Sequence, residues 1–285
     1  MSTEPNTVEL RPVPGPSAIG GGRRRFFDLL WLISSTEFKR TYFGTVLGYF
    51  WSLMRPLLQF AVLLFVFTKI IRIGSSVPNY PVLLLFNIVI FTFFQDATSA
   101  AVTSVLGQEG IVRKTQFPRL VIPLSVVLTA LFNFGLNLIA VFGFILIYGV
   151  EPTWHWLLLP VILAPLFMLT TAVAMLLSAL NVRFRDVAII WTVLAQVLFY
   201  GSPILYTINT APEEFRSLLL LNPLALIFTQ ADAWIIDPNT PGVPGVVSAA
   251  GGFVHLLPAI AIFVVTCVAA VWVFHREAPR IAEAL

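Results

Sequence analysis

Long apolar blocks alternate with short polar breaks along this chain, and the blocks lie at about 46–71, 80–105, 119–149, 156–180, 187–207 and 253–275. A helix rises about 1.5 Å per residue, so roughly 20 apolar residues cross the hydrocarbon core of a bilayer. Each block reaches or passes that length, which predicts an all-α polytopic membrane protein with six transmembrane helices. An even number of spans puts both chain ends on one side.

Upstream of the first block the pattern changes twice. Residues 1–22 carry Pro5, Pro12, Pro14, Pro16, Gly15 and the run Gly20 to Gly22, a composition that predicts a disordered tail. Residues 23–45 predict an amphipathic helix on the cytosolic membrane surface. Phe27, Leu30, Trp31, Phe38 and Tyr42 fall near one of its faces, and Asp28, Ser35, Lys39 and Arg40 near the other. Asp28, Glu37, Lys39 and Arg40 interrupt this stretch and no small-residue cleavage site follows, so it does not read as a signal peptide. The membrane domain is then 46–285.

About 45 residues separate the fifth and sixth blocks, and they do not form an ordinary loop. Ser217 to Phe228 is apolar but broken at Asn222-Pro223, and a polar, proline-rich turn follows from Asp237 to Pro244. Each half is too short to span. Irregular backbone at membrane depth persists only against protein or around a wet cavity, which predicts two short re-entrant helices. A helix pair resting on the outer surface is the alternative.

Composition sharpens the picture. Hydrophobic residues make up 58% of the 285, charged residues 11%, and the mean hydropathy is +0.90. Seventeen basic and 14 acidic side chains could not cover the surface of a water-soluble protein of this size. No soluble domain fits beside six spans, so a soluble catalytic partner must be another chain. With the N-terminus inside, 13 of the 17 Lys and Arg residues are cytosolic, and Lys69, Arg72 and Arg216 lie outside. The positive-inside rule therefore places both termini in the cytosol of a multi-pass protein of the plasma (inner) membrane.

Two formal charges, Arg55 and Asp96, fall inside the predicted spans. Each lies roughly 14 Å from the same surface, on consecutive antiparallel helices. Opposite sign at equal depth predicts an intramembrane ion pair. The alternative is that each faces a wet cavity, with Arg55 snorkelling beside Pro56.

Several chemistries are missing. No G-x-x-x-x-G-K-[ST] motif occurs, and the nearest string, Gly110-Ile-Val-Arg-Lys-Thr115, lacks the second glycine and a preceding strand. The chain is not expected to hydrolyse ATP by itself. His155, His255, His275 and the single cysteine, Cys267, show no metal-ligand spacing, so neither a metal nor another cofactor is expected here. No nucleic-acid partner is expected. Paired carboxylates at a cytosolic face, which a membrane-embedded enzyme of glycan assembly would need, are absent from the pattern.

Four segments carry a family resemblance. Thr41-Tyr-Phe-Gly-Thr-Val-Leu-Gly-Tyr-Phe-Trp-Ser-Leu-Met-Arg-Pro-Leu-Leu58 resembles the passage from interface helix to first span in ABC-2 type permeases that export polysaccharides. These are the membrane subunits of O-antigen, capsule and teichoic acid exporters. The stretch Glu109 to Ser125, with Phe117-Pro118 at its centre, is similar to a cytoplasmic loop of that family. Asn181-Val-Arg-Phe-Arg-Asp186 resembles its Arg-Asp loop, and Phe199-Tyr-Gly-Ser-Pro-Ile-Leu-Tyr206 the element that ends its fifth span. The similarity runs in order from about residue 37 to the end. Phe43 departs from it, standing where a polar or basic residue is expected, and no further cytosolic domain follows the last span.

The resemblance implies a homodimer of this chain around a path, driven by two copies of an ABC ATPase subunit that binds ATP and Mg2+. The cargo it implies is a glycan, lipid-diphosphate-linked, and membrane lipids are further partners. An ABC-2 exporter of small drugs or lipids is the alternative. On this reading Phe117, Pro118, Arg119, Arg113 and Lys114 on one loop, and Arg183, Arg185 and Asp186 on another, contact the ATPase. A proline beside an aromatic knob gives the stiffness that force transmission needs, and the basic residues suit an acidic cleft. The same cations would also hold lipid headgroups. Glu37, Lys39 and Arg40 belong to the interface helix, where basic charge would attract the diphosphate. Trp51, Phe60, Phe94, Phe132, Trp191, Phe199 and Tyr200 are candidates for a sugar path, because aromatic faces pack against the C–H faces of sugar rings; helix packing or lipid contact is the competing role for each.

Overall fold

A computed structural model describes residues 22–42, 48–72, 77–108, 119–236 and 243–284. The expected tail, except Gly22, and the loop residues Arg113, Lys114, Phe117 and Pro118 lie outside the described residues. Among those described, the chain is helical, with no strand. The helices are α1 (Gly22–Tyr42), α2 (Phe50–Phe65, continued by a π-helical turn Val66–Ile70), α3 (Tyr80–Gly107), α4 (Val121–Ile147), α5 (Leu159–Arg183), α6 (Val187–Tyr200), α7 (Glu213–Leu219), α8 (Pro223–Ile236) and α9 (Leu257–Ala284).

Helix α3 is the centre of the bundle. Its apolar window is 78% buried, against 11–33% for the windows of α2, α4, α5 and α9. A helix hydrophobic on all sides belongs inside, and here Phe86, Phe91 and Phe94 are almost fully enclosed. Phe93 packs on Phe134 of α4, their ring centres 4.9 Å apart. The other spanning helices turn apolar faces outward, as lipid or a partner chain requires.

Helix α1 docks on α4 through a small residue. Ser34 is fully buried, its hydroxyl donates to the Ser125 carbonyl at 3.1 Å, and its own carbonyl accepts from Thr129 Oγ1 at 3.3 Å. Trp31 and Phe38 set their edges against Phe132, at 5.4 and 5.6 Å between ring centres. Phe27 and Trp31 stay largely exposed, so α1 also offers an apolar surface outward, as an interface helix must.

Five helices are long and apolar enough to cross a membrane, namely α2 with its π turn, α3, α4, α5 and α9. The span expected over 187–207 is shorter than its hydropathy suggests. Its helix, α6, has 14 residues and is about 21 Å long, less than the ~30 Å core. Gly201 ends it: the Gly201 N–H donates to Val197 O at 2.8 Å, and a Cβ at Gly201 would sit 2.9 Å from that same oxygen. Pro203 then has no N–H with which to continue. The chain turns inward instead, burying Ser202, Ile204 and Leu205, and the Leu205 carbonyl accepts from Tyr80 Oη at 2.8 Å.

The broken segment expected between the last two blocks is present as α7 and α8, bent by 104°. Asn222 builds the corner. Its Oδ1 accepts the Leu224 N–H at 3.0 Å, capping α8, and its Nδ2 donates to Ser202 Oγ at 2.9 Å. A cap of this kind contributes about 1 kcal/mol. The two halves differ, because α7 has no buried residue whereas ten of the 14 residues of α8 are buried. Trp156 Nε1 donates to Ile235 O at 3.0 Å and ties the end of α8 to the turn before α5. At the opposite end of the bundle, Arg183 Nη1 lies 3.5 Å from Glu277 Oε1, so α5 and α9 finish together.

Candidate functional site

One groove in the bundle combines depth, polarity and an open side. Leu58, Gln59, Val62 and Leu63 of α2, Gln95 of α3, and Gln196, Phe199 and Tyr200 of α6 line a cavity of about 420 Å3. Its position follows from two helices that bury little. On α2, Trp51, Arg55, Leu58, Gln59 and Val62 recur at helical spacing on one exposed face. On α6 only Trp191, Ala195 and Phe199 face the core, one per turn, and the remaining sides are exposed or half-buried. Gln95 rises from α3 between them. Three uncharged amides thus meet in an otherwise apolar wall. Among the described residues no hydrogen bond engages their side chains.

The two intramembrane charges border this groove. Arg55 Nη1 is 3.1 Å from Asp96 Oδ1, and both side chains remain substantially exposed, 68% and 45%. Arg55 stands one helical turn before Gln59 on α2, and Asp96 follows Gln95 on α3. The ion pair therefore lies about one helical turn from Gln59, on the side nearer the start of α2.

The seven aromatics expected along a path do not stay together. Phe60, Phe94 and Trp191 are buried within the chain. Phe60 packs edge-on against Phe144 at 5.5 Å, and Phe94 against Trp191 at 6.1 Å. Phe132 serves as the seat for α1. Phe199 and Tyr200 reach the groove, their rings perpendicular and 5.2 Å apart, and Tyr200 is the more exposed. Trp51 is exposed on the same face of α2 but is not part of the cavity lining.

The loop residues also separate. Arg185 and Asp186 are exposed on the turn between α5 and α6, beside exposed Phe184. Arg183 is engaged within the chain, paired with Glu277 and with its guanidinium carbon 5.2 Å from the Phe184 ring centre. Arg119 stands at the turn that opens α4, and Glu37 pairs with Arg40 on α1 at 3.7 Å. Among the described residues no group of His, Cys, Asp and Glu could hold a metal ion.

Residues 28–232, from α1 through most of α8, match the family model for ABC-2 type transporters. An O-antigen export system permease protein of Myxococcus xanthus is 31% identical over 235 residues, covering 82% of this chain and 90% of that protein. A permease of the same description from Klebsiella pneumoniae is 32% identical over 200 residues, 70% of this chain and 76% of its own length. A polysialic acid transport protein of Escherichia coli is 23% identical over 195 residues, 65% of this chain and 72% of its own. With an all-helical bundle of this topology and a match over most of its length, the chain belongs to the ABC-2 type transporter family.

Proposed function

We propose that this chain is the permease subunit of an ABC exporter that moves a polysaccharide, linked to a lipid diphosphate, from the cytosol across the plasma membrane. Two copies enclose the path, and two copies of a separate ATPase subunit, which bind ATP and Mg2+, drive it. The observation that carries the reading is the amide-lined groove in a chain nearly one-third identical to O-antigen export permeases.

The groove's chemistry suits sugars. A glutamine amide both donates and accepts, as does each sugar hydroxyl, so Gln59, Gln95 and Gln196 can exchange partners as a polymer advances. The face of Tyr200 supplies a surface for sugar C–H groups. Weak, equivalent contacts favour sliding over trapping. An apolar drug would leave the three amides without partners at membrane depth, a cost that argues for the polymer. The open side of the groove, between the exposed faces of α2 and α6, is where the second copy closes the path.

Charge fits the same orientation. Arg24, Arg25, Lys39 and Arg40 on α1 lie where an anionic diphosphate arrives from the cytosol, with both termini on that side. Arg185 and Asp186 offer the ATPase an exposed contact, together with the Phe117-Pro118-Arg119 loop. Arg183, through Glu277, links that turn to the end of α9.

Deleting the gene for this chain tests the reading. Surface polysaccharide should disappear while lipid-linked glycan accumulates on the cytosolic face of the membrane, and returning this gene should restore export only where the ATPase is active. Unchanged surface polysaccharide, with intracellular retention of a small apolar compound instead, would contradict it.

A further inference from the structure

A second polar site lies apart from the groove, in the half of the bundle remote from α1. Asp232 of α8 is 4% exposed; its Oδ2 accepts from Asn87 Nδ2 at 3.1 Å, and that same amide lies 3.4 Å from the Pro203 carbonyl. The other carboxylate oxygen, Oδ1, has no hydrogen-bond partner among the described residues. The same is true of Asn87 Oδ1, Thr229 Oγ1 and Thr207 Oγ1, and all four residues are more than nine-tenths buried. Asp232, Thr229, Thr207 and Pro203 line one small cavity, walled further by Ile208, Val243 and Pro244. The cavity leaves about 10 Å3 for the centre of a water-sized sphere, room for a single small particle.

We infer that this cavity binds one monovalent cation of the size of sodium. Hydroxyls beside a carboxylate ordinarily donate to it. Here they share its cavity without a hydrogen bond to it, so one bridging particle could serve the carboxylate oxygen and both hydroxyls. The unpartnered polar atoms of the lining residues are oxygens, one of a carboxylate and two of hydroxyls, hard ligands that suit an alkali cation and not a transition metal. Among the described residues no basic side chain lines the cavity. A water beside a protonated Asp232 would leave no charge to balance, and stability that follows pH alone would report it; an ionised Asp232 needs a counter-charge. A divalent ion would bring a second positive charge with nothing to oppose it, whereas one monovalent cation balances one carboxylate at a depth where an uncompensated charge is costly.

The location gives the ion a role. Asn87 lies about seven residues, or ~10 Å, into α3 from Tyr80. Asp232 and Thr229 belong to α8, and Pro203 and Thr207 to the segment after α6. A cation held by these groups fixes the broken helix and the post-α6 turn against the central helix.

The test is thermal unfolding of the full chain in nanodiscs at pH 8, in the chlorides of Na+, K+ and N-methylglucamine at equal ionic strength. A ligand that binds only the folded state raises Tm with concentration. The expected result is a rise with Na+ that sets in near the Kd and then grows with the logarithm of concentration, smaller with K+ and absent with N-methylglucamine, and its loss in Asp232→Asn. Thr229→Val keeps the carboxylate and the side-chain shape. It should raise the Na+ concentration at which the rise sets in by at least about tenfold, the equivalent of one lost interaction with a charged group. Thr207→Val should act alike, so the site is read even if Asp232→Asn does not fold. Equal stabilisation by all three cations, an unaltered Na+ onset in both valine variants, or stability that follows pH alone would overturn the assignment.

Discussion

Arg55→Asp and Asp96→Arg, made singly, are expected to cut accumulation of the chain or its transport by roughly 100-fold, and made together to restore most of it. The two groups are 3.1 Å apart on neighbouring helices at membrane depth. Reversing one charge sets two like charges side by side where even a single unpaired charge costs about 2.5–3.5 kcal/mol, and each 1.4 kcal/mol is tenfold in an equilibrium. Exchanging both restores opposite signs at the same place. Quantifying folded chain and export in the three variants checks this, and a double variant no better than the singles would refute a direct pairing. The pair is more exposed than a core ion pair, so the Arg55→Gln, Asp96→Asn combination should fold well and report separately on whether charge beside the groove matters for export.

The second large effect is expected at the groove itself. Gln59→Leu combined with Gln196→Leu should lower glycan export at least about tenfold while leaving accumulation and Tm near those of the parent. On the proposed path each amide would give a sugar hydroxyl one or two hydrogen bonds, worth about 0.5–1.5 kcal/mol apiece. Neither amide is held by another side chain among the described residues, so leucine removes no internal bond. Export rates in cells, with the folded chain measured in parallel, separate the two quantities. A double variant that exports normally would remove the glutamines from the path.

Hydropathy made much of this fold legible, because a bilayer demands a long apolar helix wherever the chain crosses. α1, the long spans and the break at Asn222-Pro223 all follow from residue pattern and proline chemistry. Depth arithmetic brought Arg55 and Asp96 to one level, since helix rise converts sequence position into distance. The end of α6 was less legible. Ile204, Leu205 and Tyr206 continue the apolar run, so hydropathy carries the span to 207, but the helix stops at Gly201 and Pro203, and the turn that follows buries Ile204 and Leu205 and half-buries Tyr206.

Facing was the main thing the pattern could not supply. Phe94 and Phe199 look alike in sequence terms, as apolar aromatics in apolar runs. Phe94 is sealed in the core, whereas Phe199, though mostly buried, also borders the groove. Gln59, Gln95 and Gln196 went unmarked because amides carry no formal charge. A search for any strong hydrogen-bonding group within the spans would have found them. Asp232 falls in the segment between spans, outside the intramembrane charges that hydropathy marks, yet it is more deeply buried than Asp96. Apolar neighbours in α8, not its distance from a span, signal that burial.

The central claim, that a glycan passes over the glutamine groove, is tested most directly by cysteine protection. The chain has a single cysteine, Cys267, so a Cys267→Ser background accepts one new thiol at a time. Gln59→Cys and Gln196→Cys report on the groove, and Glu214→Cys, exposed on α7, serves as the control outside it. The measurement is the rate of thiol modification in membranes containing the ATPase subunit and Mg-ATP, with and without lipid-linked glycan. Glycan should slow modification severalfold at positions 59 and 196 and leave position 214 unchanged. Equal rates with and without glycan at both groove positions, in membranes that are actively exporting, would contradict the account.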